Sequence, residues 1–366
     1  MSLKKIVSIL FFIASTVPFH LSALAQPVIT GVSGSLSHGT AVTISGLGFG
    51  SKTAGPPIIW DDFEKGIQGG AIKGNLPVIG PAWDDYFNGT IGPKYSNVGV
   101  RPNSTVSSFH DFLNGGSNIS LEYSGQHSSV YFTFWWKMQK QSTSWSRNIK
   151  PWLEYGSDGL LPMTYAGLGM GGTADSKLRS SVQDNPTINI PTLWGSTRIE
   201  DIENEWVRFE VYLVQSTPNV PDGKYKMWVH RPSSPVPSIL LDLNGDAYIT
   251  RTTTKTWRQW HFGSYFAKDN PTDARALVYI DDLYFDTTQA RVEIGNAPIW
   301  TAVTHREIQV PTSWADTSVQ VTLNKGSFGS LNDTYLYIVN ADGTANPVGF
   351  PLCQDCPQPP KNLQVQ

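Results

Sequence analysis

Arg147, Lys150, Lys226, His230, His261 and Tyr265 include the side-chain types that could neutralise a carboxylate, remove the proton beside it and protonate a leaving oxygen. That is the chemistry of elimination in a uronic-acid polymer. No spacing ties the six together, so Arg147, Lys150, His230, His261 and Tyr265 stand as catalytic candidates and Lys226 as a binding one. A second set, Asp62, Glu64, Asp281 and Asp282, punctuates two apolar segments. If those segments meet, the oxygen-rich cluster could hold a structural calcium ion. No other cofactor is implied. Asp242-Leu243-Asn244-Gly245-Asp246 opens like a calcium loop, but it has Ala247 in place of glycine at the sixth position and Thr253 where the bidentate Glu belongs, so it reads as a turn. Cys353 and Cys356 are the two cysteines of the chain and lie in a Pro-rich tail. With no second pair to complete a zinc site, a local disulfide is the expectation.

The elements that must position these groups are strands. In Val130 to Met138, Phe132, Phe134, Trp136 and Met138 share one face and Tyr131, Thr133, Trp135 and Lys137 the other. Val207, Phe209, Val211 and Leu213 oppose Trp206, Arg208, Glu210 and Tyr212; Tyr225, Met227 and Val229 oppose Lys224, Lys226, Trp228 and His230. The alternation of Trp257 to Gly263 leaves its inward face open, with Gln259 and His261 against Trp260 and Phe262. If these strands are neighbours in one sheet, Tyr131, Trp135, Lys137, Arg208, Glu210, Tyr212, Lys226, Trp228, His230 and His261 pool on a single face. Indole and phenol rings beside charged groups suit sugar rings, which offer both apolar C–H faces and hydroxyls.

Two segments far apart carry one resemblance. Pro27, Gly31, Gly39, Thr43-Ile44-Ser45-Gly46 and Phe49-Gly50 resemble the opening of an IPT/TIG domain, an immunoglobulin-like sandwich. What should follow arrives some 240 residues later, as Arg291-Val292-Glu293-Ile294-Gly295, Trp314-Ala315-Asp316-Thr317-Ser318-Val319 and Tyr335 to Gly343. The resemblance implies one sandwich split into residues 26–57 and 291–350, interrupted by a second domain at 58–290. That inserted segment begins with Ile58-Ile59-Trp60-Asp61-Asp62-Phe63-Glu64 and ends with Val278-Tyr279-Ile280-Asp281-Asp282-Leu283-Tyr284-Phe285. Together with the Trp206 to His230 region, these ends look like concanavalin-like jelly rolls, a fold shared by lectins, glycosidases and polysaccharide lyases. Retaining glycosidases of that type carry E-x-D-x-E on a strand; Asp201-Ile202-Glu203-Asn204-Glu205 has the wrong order of types and reads as a solvated loop. Residues 351–366 resemble a linker.

Lys4 and Lys5, an apolar run from Ile6 to Val17, and Ala23-Leu24-Ala25 form the three parts of a cleavable signal peptide over residues 1–25. The run is shorter than the roughly 20 residues of a membrane span, so no membrane span is expected. A chain of 27 Lys plus Arg against 30 Asp plus Glu has no field to attract nucleic acid. With 33 Gly, 25 Pro and 13 Trp, it suits a loop-rich all-β protein. The expectation is a secreted, polysaccharide-binding jelly roll inserted in an IPT/TIG-like sandwich. A lyase using the same groove is the alternative reading, and a structural adhesion module the third.

Overall fold

The computed structural model describes residues 26–84, 92–113, 117–123, 127–141, 148–156, 163–168, 177–185, 188–189, 194–198, 201–233, 239–267 and 275–353. The expected signal peptide, Arg147, Cys356 and nearly all of the expected linker lie outside them. In chain order the strands are β1 (Val28–Gly34), β2 (Ala41–Leu47), β3 (Ile59–Asp61), β4 (Lys94–Ser96), β5 (Ser107–Leu113), β6 (Ile119–Glu122) and β7 (Ser129–Lys140). Next come β8 (Asn148–Gly156), β9 (Met163–Leu168), β10 (Lys177–Asn185), β11 (Ile188–Asn189), β12 (Trp194–Arg198), β13 (Val207–Val214), β14 (Gly223–His230) and β15 (Ile239–Tyr248). The last are β16 (Trp257–Ala267), β17 (Arg275–Asp286), β18 (Arg291–Gly295), β19 (Arg306–Ala315), β20 (Ser318–Thr322), β21 (Thr334–Val339) and β22 (Phe350–Leu352).

Among the described residues these form three antiparallel sheets. An eight-stranded sheet runs β15-β14-β13-β7-β17-β5-β4, with β3 also on β17. It will be called the seam sheet. A seven-stranded sheet runs β11-β10-β9-β8-β16-β6, with β12 on β10, and will be called the outer sheet. Between them lies one core, to which the alternating strands contribute Phe132, Phe134, Trp136 and Met138, then Val207, Phe209, Val211 and Leu213, then Tyr225, Met227 and Val229. From the outer sheet come Trp152, Leu178, Trp260 and Phe262. The result is a jelly-roll-like β-sandwich whose inward faces are the ones the period-2 pattern marks. Asp242–Asp246, expected as a turn, instead lies within β15, where Lys226 pairs with Asn244 and Trp228 with Asp242. Cross-strand pairing to β14 overrides the turn propensity of Asn-Gly.

The third sheet, β1-β2-β20-β19-β18-β21-β22, joins the two ends of the described chain. β2 pairs with β20 from Ala41↔Thr322 to Ser45↔Ser318. The Phe49 and Gly50 amides donate to Asp316, and the Trp314 indole donates to the carbonyls of Phe49 and Gly50. A shift of register between Pro311 and Ser313 bends β19, which pairs with β18 at one end and β20 at the other. The sheet thereby folds over its own core of Val42, Ile44, Phe49, Val292, Ile294, Val319, Val321, Leu336 and Ile338. The intervening chain leaves and returns at one place, because β3 pairs with β17 and the Ile58 amide donates to the Phe285 carbonyl.

This smaller sandwich sits on the face of the seam sheet that points away from the jelly-roll core. Trp60, Tyr131 and Tyr284 pack there against Ile308 and Val310 of β19. Around them runs a buried ionic network. The Arg208 guanidinium donates to both carboxylate oxygens of Glu293, at 3.0 and 3.2 Å, and to Thr133 at 2.7 Å. Arg291 reaches Glu210 at 2.6 Å and Glu293 at 2.5 Å, and Arg306 reaches Glu210 at 3.0 Å. Further along, Arg101 pairs with both Asp282 and Glu307 and lies over the Trp135 ring, whose N–H donates to Glu307 at 3.1 Å. Lys52 pairs with Asp286 at 2.6 Å. Desolvated charges are tolerable only when paired in this way.

Candidate functional site

The face expected to be an open groove is therefore largely an internal interface. Tyr131, Trp135, Arg208 and Glu210 are all buried, which corrects their expected role as substrate contacts. Their polar atoms serve the network instead: Tyr131 donates to Glu210, and Trp135 to Glu307. His261 does not join this face either, since β16 belongs to the other sheet. Lys137, Tyr212, Lys226, Trp228 and His230 remain partly exposed at the margins. Lys226, Trp228 and His230 line a pocket of about 270 Å³ with Glu210, Lys224, Gln289, Arg291, Trp300, Arg306 and Asp342.

The outer sheet brings other candidates together on the face turned away from the core. β16 sends Trp260 and Phe262 inward, so Gln259 and His261 take the opposite side. β8 sends both Ile149 and Trp152 inward although they are three apart. Its pairing with β9 slips between Ile149 and Leu153, around Pro151, and this sets Lys150 on the same side as His261. β16 bulges in turn between Phe262 and Tyr265, so that the Tyr265 backbone pairs with Lys150. On β10, Leu178 and Val182 go inward and Arg179 outward.

Electrostatics set this face apart. Burial, then the neighbouring Arg179 guanidinium, pushes the Lys150 ammonium down to about 8. Burial holds His261 neutral, down at about 3, although the Asp84 carboxylate works the other way. The His261 ring lies edge-on to Tyr155 at 5.4 Å, and Nδ1 is 3.2 Å from Asn118 Oδ1. With that oxygen accepting, the proton sits on Nδ1 and Nε2 is the unprotonated nitrogen. Of the five catalytic candidates, Lys150, His261 and Tyr265 thus share one sheet, His230 stands on β14 of the other, and Arg147 is outside the described residues. Arg179, Tyr155 and Asn118 are not among the catalytic or binding candidates that the sequence offers. A weak period-2 signal, Arg179-x-Ser181-x-Gln183, is visible in retrospect.

Among the described residues no group of three or more His, Cys, Asp or Glu side chains is placed to hold a metal ion. Glu64 accepts from the amide and hydroxyl of Thr105, Asp282 pairs with Arg101, and Asp62 and Asp281 each accept a nearby backbone amide. These carboxylates thus each have protein partners, while Asp62, Glu64 and Asp282 line one pocket with Asn103, Ser104 and Asn324. Glu203 and Glu205 of the acidic run pair with Lys140 at 3.0 Å and Arg231 at 2.6 Å. Cys353 is disulfide-bonded. Among the described residues no helix is long and apolar enough to cross a membrane.

No family model matches the chain, and no curated protein matches it. Solved structures do resemble it. An alginate lyase from Aplysia kurodai is 13% identical over 53% of this chain and 86% of its own, with a TM-score of 0.40. A mutant of the alginate lyase Aly36B in complex with an alginate trisaccharide is 13% identical over 64% and 99%, with a TM-score of 0.44. The cellulose-induced protein Cip1 is 15% identical over 63% and 97%, with a TM-score of 0.39. At such identities and TM-scores the likeness says nothing of activity, and chemistry must come from this chain's own residues.

Proposed function

We propose that this is an exported protein that takes a uronate-containing polysaccharide on the outer sheet and cleaves it by β-elimination. The observation that carries the reading is that a buried lysine beside an arginine, and a neutral histidine, lie on one face of one sheet. Lys150 and Arg179 would neutralise the sugar carboxylate and so acidify the C–H beside it. His261 Nε2 would take that proton, the electron pair would form a C=C bond, and the glycosidic C–O bond would break as its oxygen gains a proton from a phenol such as Tyr155. The split sandwich is read as an IPT/TIG-like frame that carries the jelly roll, and residues 1–25 as the signal that exports both. Incubation with a panel of uronate polymers should yield unsaturated products with new ultraviolet absorbance, and Lys150→Ala should lower their rate about a hundredfold or more. A chain that leaves every such polymer intact is not a lyase.

One observation favours a second reading on the same face, binding without cleavage: His261 is 0% exposed, and a base must reach its proton. Retention of polymer affinity without any unsaturated product selects this reading.

A further inference from the structure

Away from the outer sheet, the pocket of about 270 Å³ at the seam is built by both sandwiches. β13 and β14 supply Glu210, Lys224, Lys226, Trp228 and His230. From the smaller sandwich and its entry come Gln289, Arg291, Trp300, Arg306 and Asp342. We propose that this pocket is a second glycan site, separate from the outer face, that holds a single carboxylated sugar residue.

Three features point to that ligand. The first is charge: four lining cations, Lys224, Lys226, Arg291 and Arg306, face two lining carboxylates, Glu210 and Asp342. Glu210 is already claimed by Arg291 and Arg306. Lys224 and Lys226 share Asp246, at 3.7 and 3.0 Å, and that carboxylate is half exposed, so water screens the pairs and a ligand anion can compete. The second is aromatic surface. Trp228 and Trp300 are both half-buried, one from each sandwich, and neither indole N–H is used by a described residue. An indole offers a flat face for sugar C–H groups and a donor at its edge. Arg306 already stacks on Trp300 at 4.4 Å, which fixes that wall. The third is the floor: Glu210, Arg291 and Arg306, with Glu293 behind them, are locked in the buried network before any ligand arrives. His230, held neutral at about 4 by burial and by Arg306, adds no charge of its own. A pocket of about 270 Å³ has room for one sugar ring, so the proposed occupant is a monosaccharide or the end of a glycan.

The test is calorimetric titration of the full chain with D-glucuronate, with D-glucose as the neutral control. Glucuronate should bind saturably and glucose should not. Lys226→Gln and Trp228→Ala should each weaken glucuronate about tenfold, Lys226→Arg should restore most of the affinity, and Lys94→Gln, exposed on β4 at the far edge of the seam sheet, should leave it unchanged. Both seam side chains are partly exposed, so the variants should unfold at the wild-type temperature. Equal binding of glucose, undiminished affinity in both variants, or no saturable binding of glucuronate would each overturn the proposal. Loss of binding in Lys150→Ala alone would move the sugar to the outer face and overturn it as well.

Discussion

Lys150 is the residue whose ionisation the proposed chemistry depends on most. An ammonium pushed down to about 8 is charged at neutral pH and loses its proton as pH rises through that value. The role assigned to it requires the charged form, so affinity for a uronate polymer should fall as pH rises past about 8. Lys150→Arg keeps a cation at every accessible pH. That variant should lose the alkaline limb while keeping binding at pH 7, which a pH series of polymer affinities would read directly. An unchanged limb would place the titrating group elsewhere. His110 shows what a histidine without such a role looks like in the same fold. Fully buried, it meets the Ser108 hydroxyl at 2.7 Å and the Ser117 carbonyl at 3.1 Å, so both ring nitrogens are satisfied inside the sandwich.

The outward set on the outer sheet depends on two irregular strands. Gly263 lies in the bulge of β16 with φ +74°, and a Cβ there would come within 2.7 Å of His110 Nδ1. Gly263→Ala should therefore destabilise the protein by about 1–3 kcal/mol. It should also move Tyr265 relative to Lys150, so activity should fall further than the folded fraction measured by urea denaturation. These irregularities explain much of what was legible in the sequence and what was not. Where alternation is unbroken, as in Phe132, Phe134, Trp136 and Met138, the inward face could be read from period alone. Around Pro151 and Gly263 the period slips, and no count of twos could set Lys150 beside Arg179. Alternation also says nothing about what covers the opposite face. Trp135 and Arg208 carry the same outward signal as Trp228, yet the first two are sealed under the smaller sandwich and Trp228 reaches its edge.

For the whole molecule, the seam is the part that decides whether two sandwiches behave as one. Glu293 and Glu210 would be raised by burial alone, but their guanidinium partners win: Arg208, Arg306 and Arg291 hold Glu293 down to about 2, and Arg291 and Arg306 keep Glu210 well below the usual carboxylate range. A carboxylate with a depressed folded pKa contributes stability that is present above its unfolded value and lost as pH falls through the folded one. The seam should accordingly weaken from about pH 4.5 down to about 2 for Glu293. Cutting one partner out is a sharper test than acid. Arg208→Met leaves Glu293 with less buried compensation and should cost about 3–5 kcal/mol. If Arg208 ties the two sandwiches into one cooperative unit, as its bonds to Thr133 on one side and Glu293 on the other imply, wild type should unfold in a single calorimetric transition and the variant in two. The double variant Arg208→Met with Glu293→Leu removes both charges and should recover part of the lost stability. A wild type that already unfolds in two steps would show that the network holds the sandwiches in register without coupling their folding.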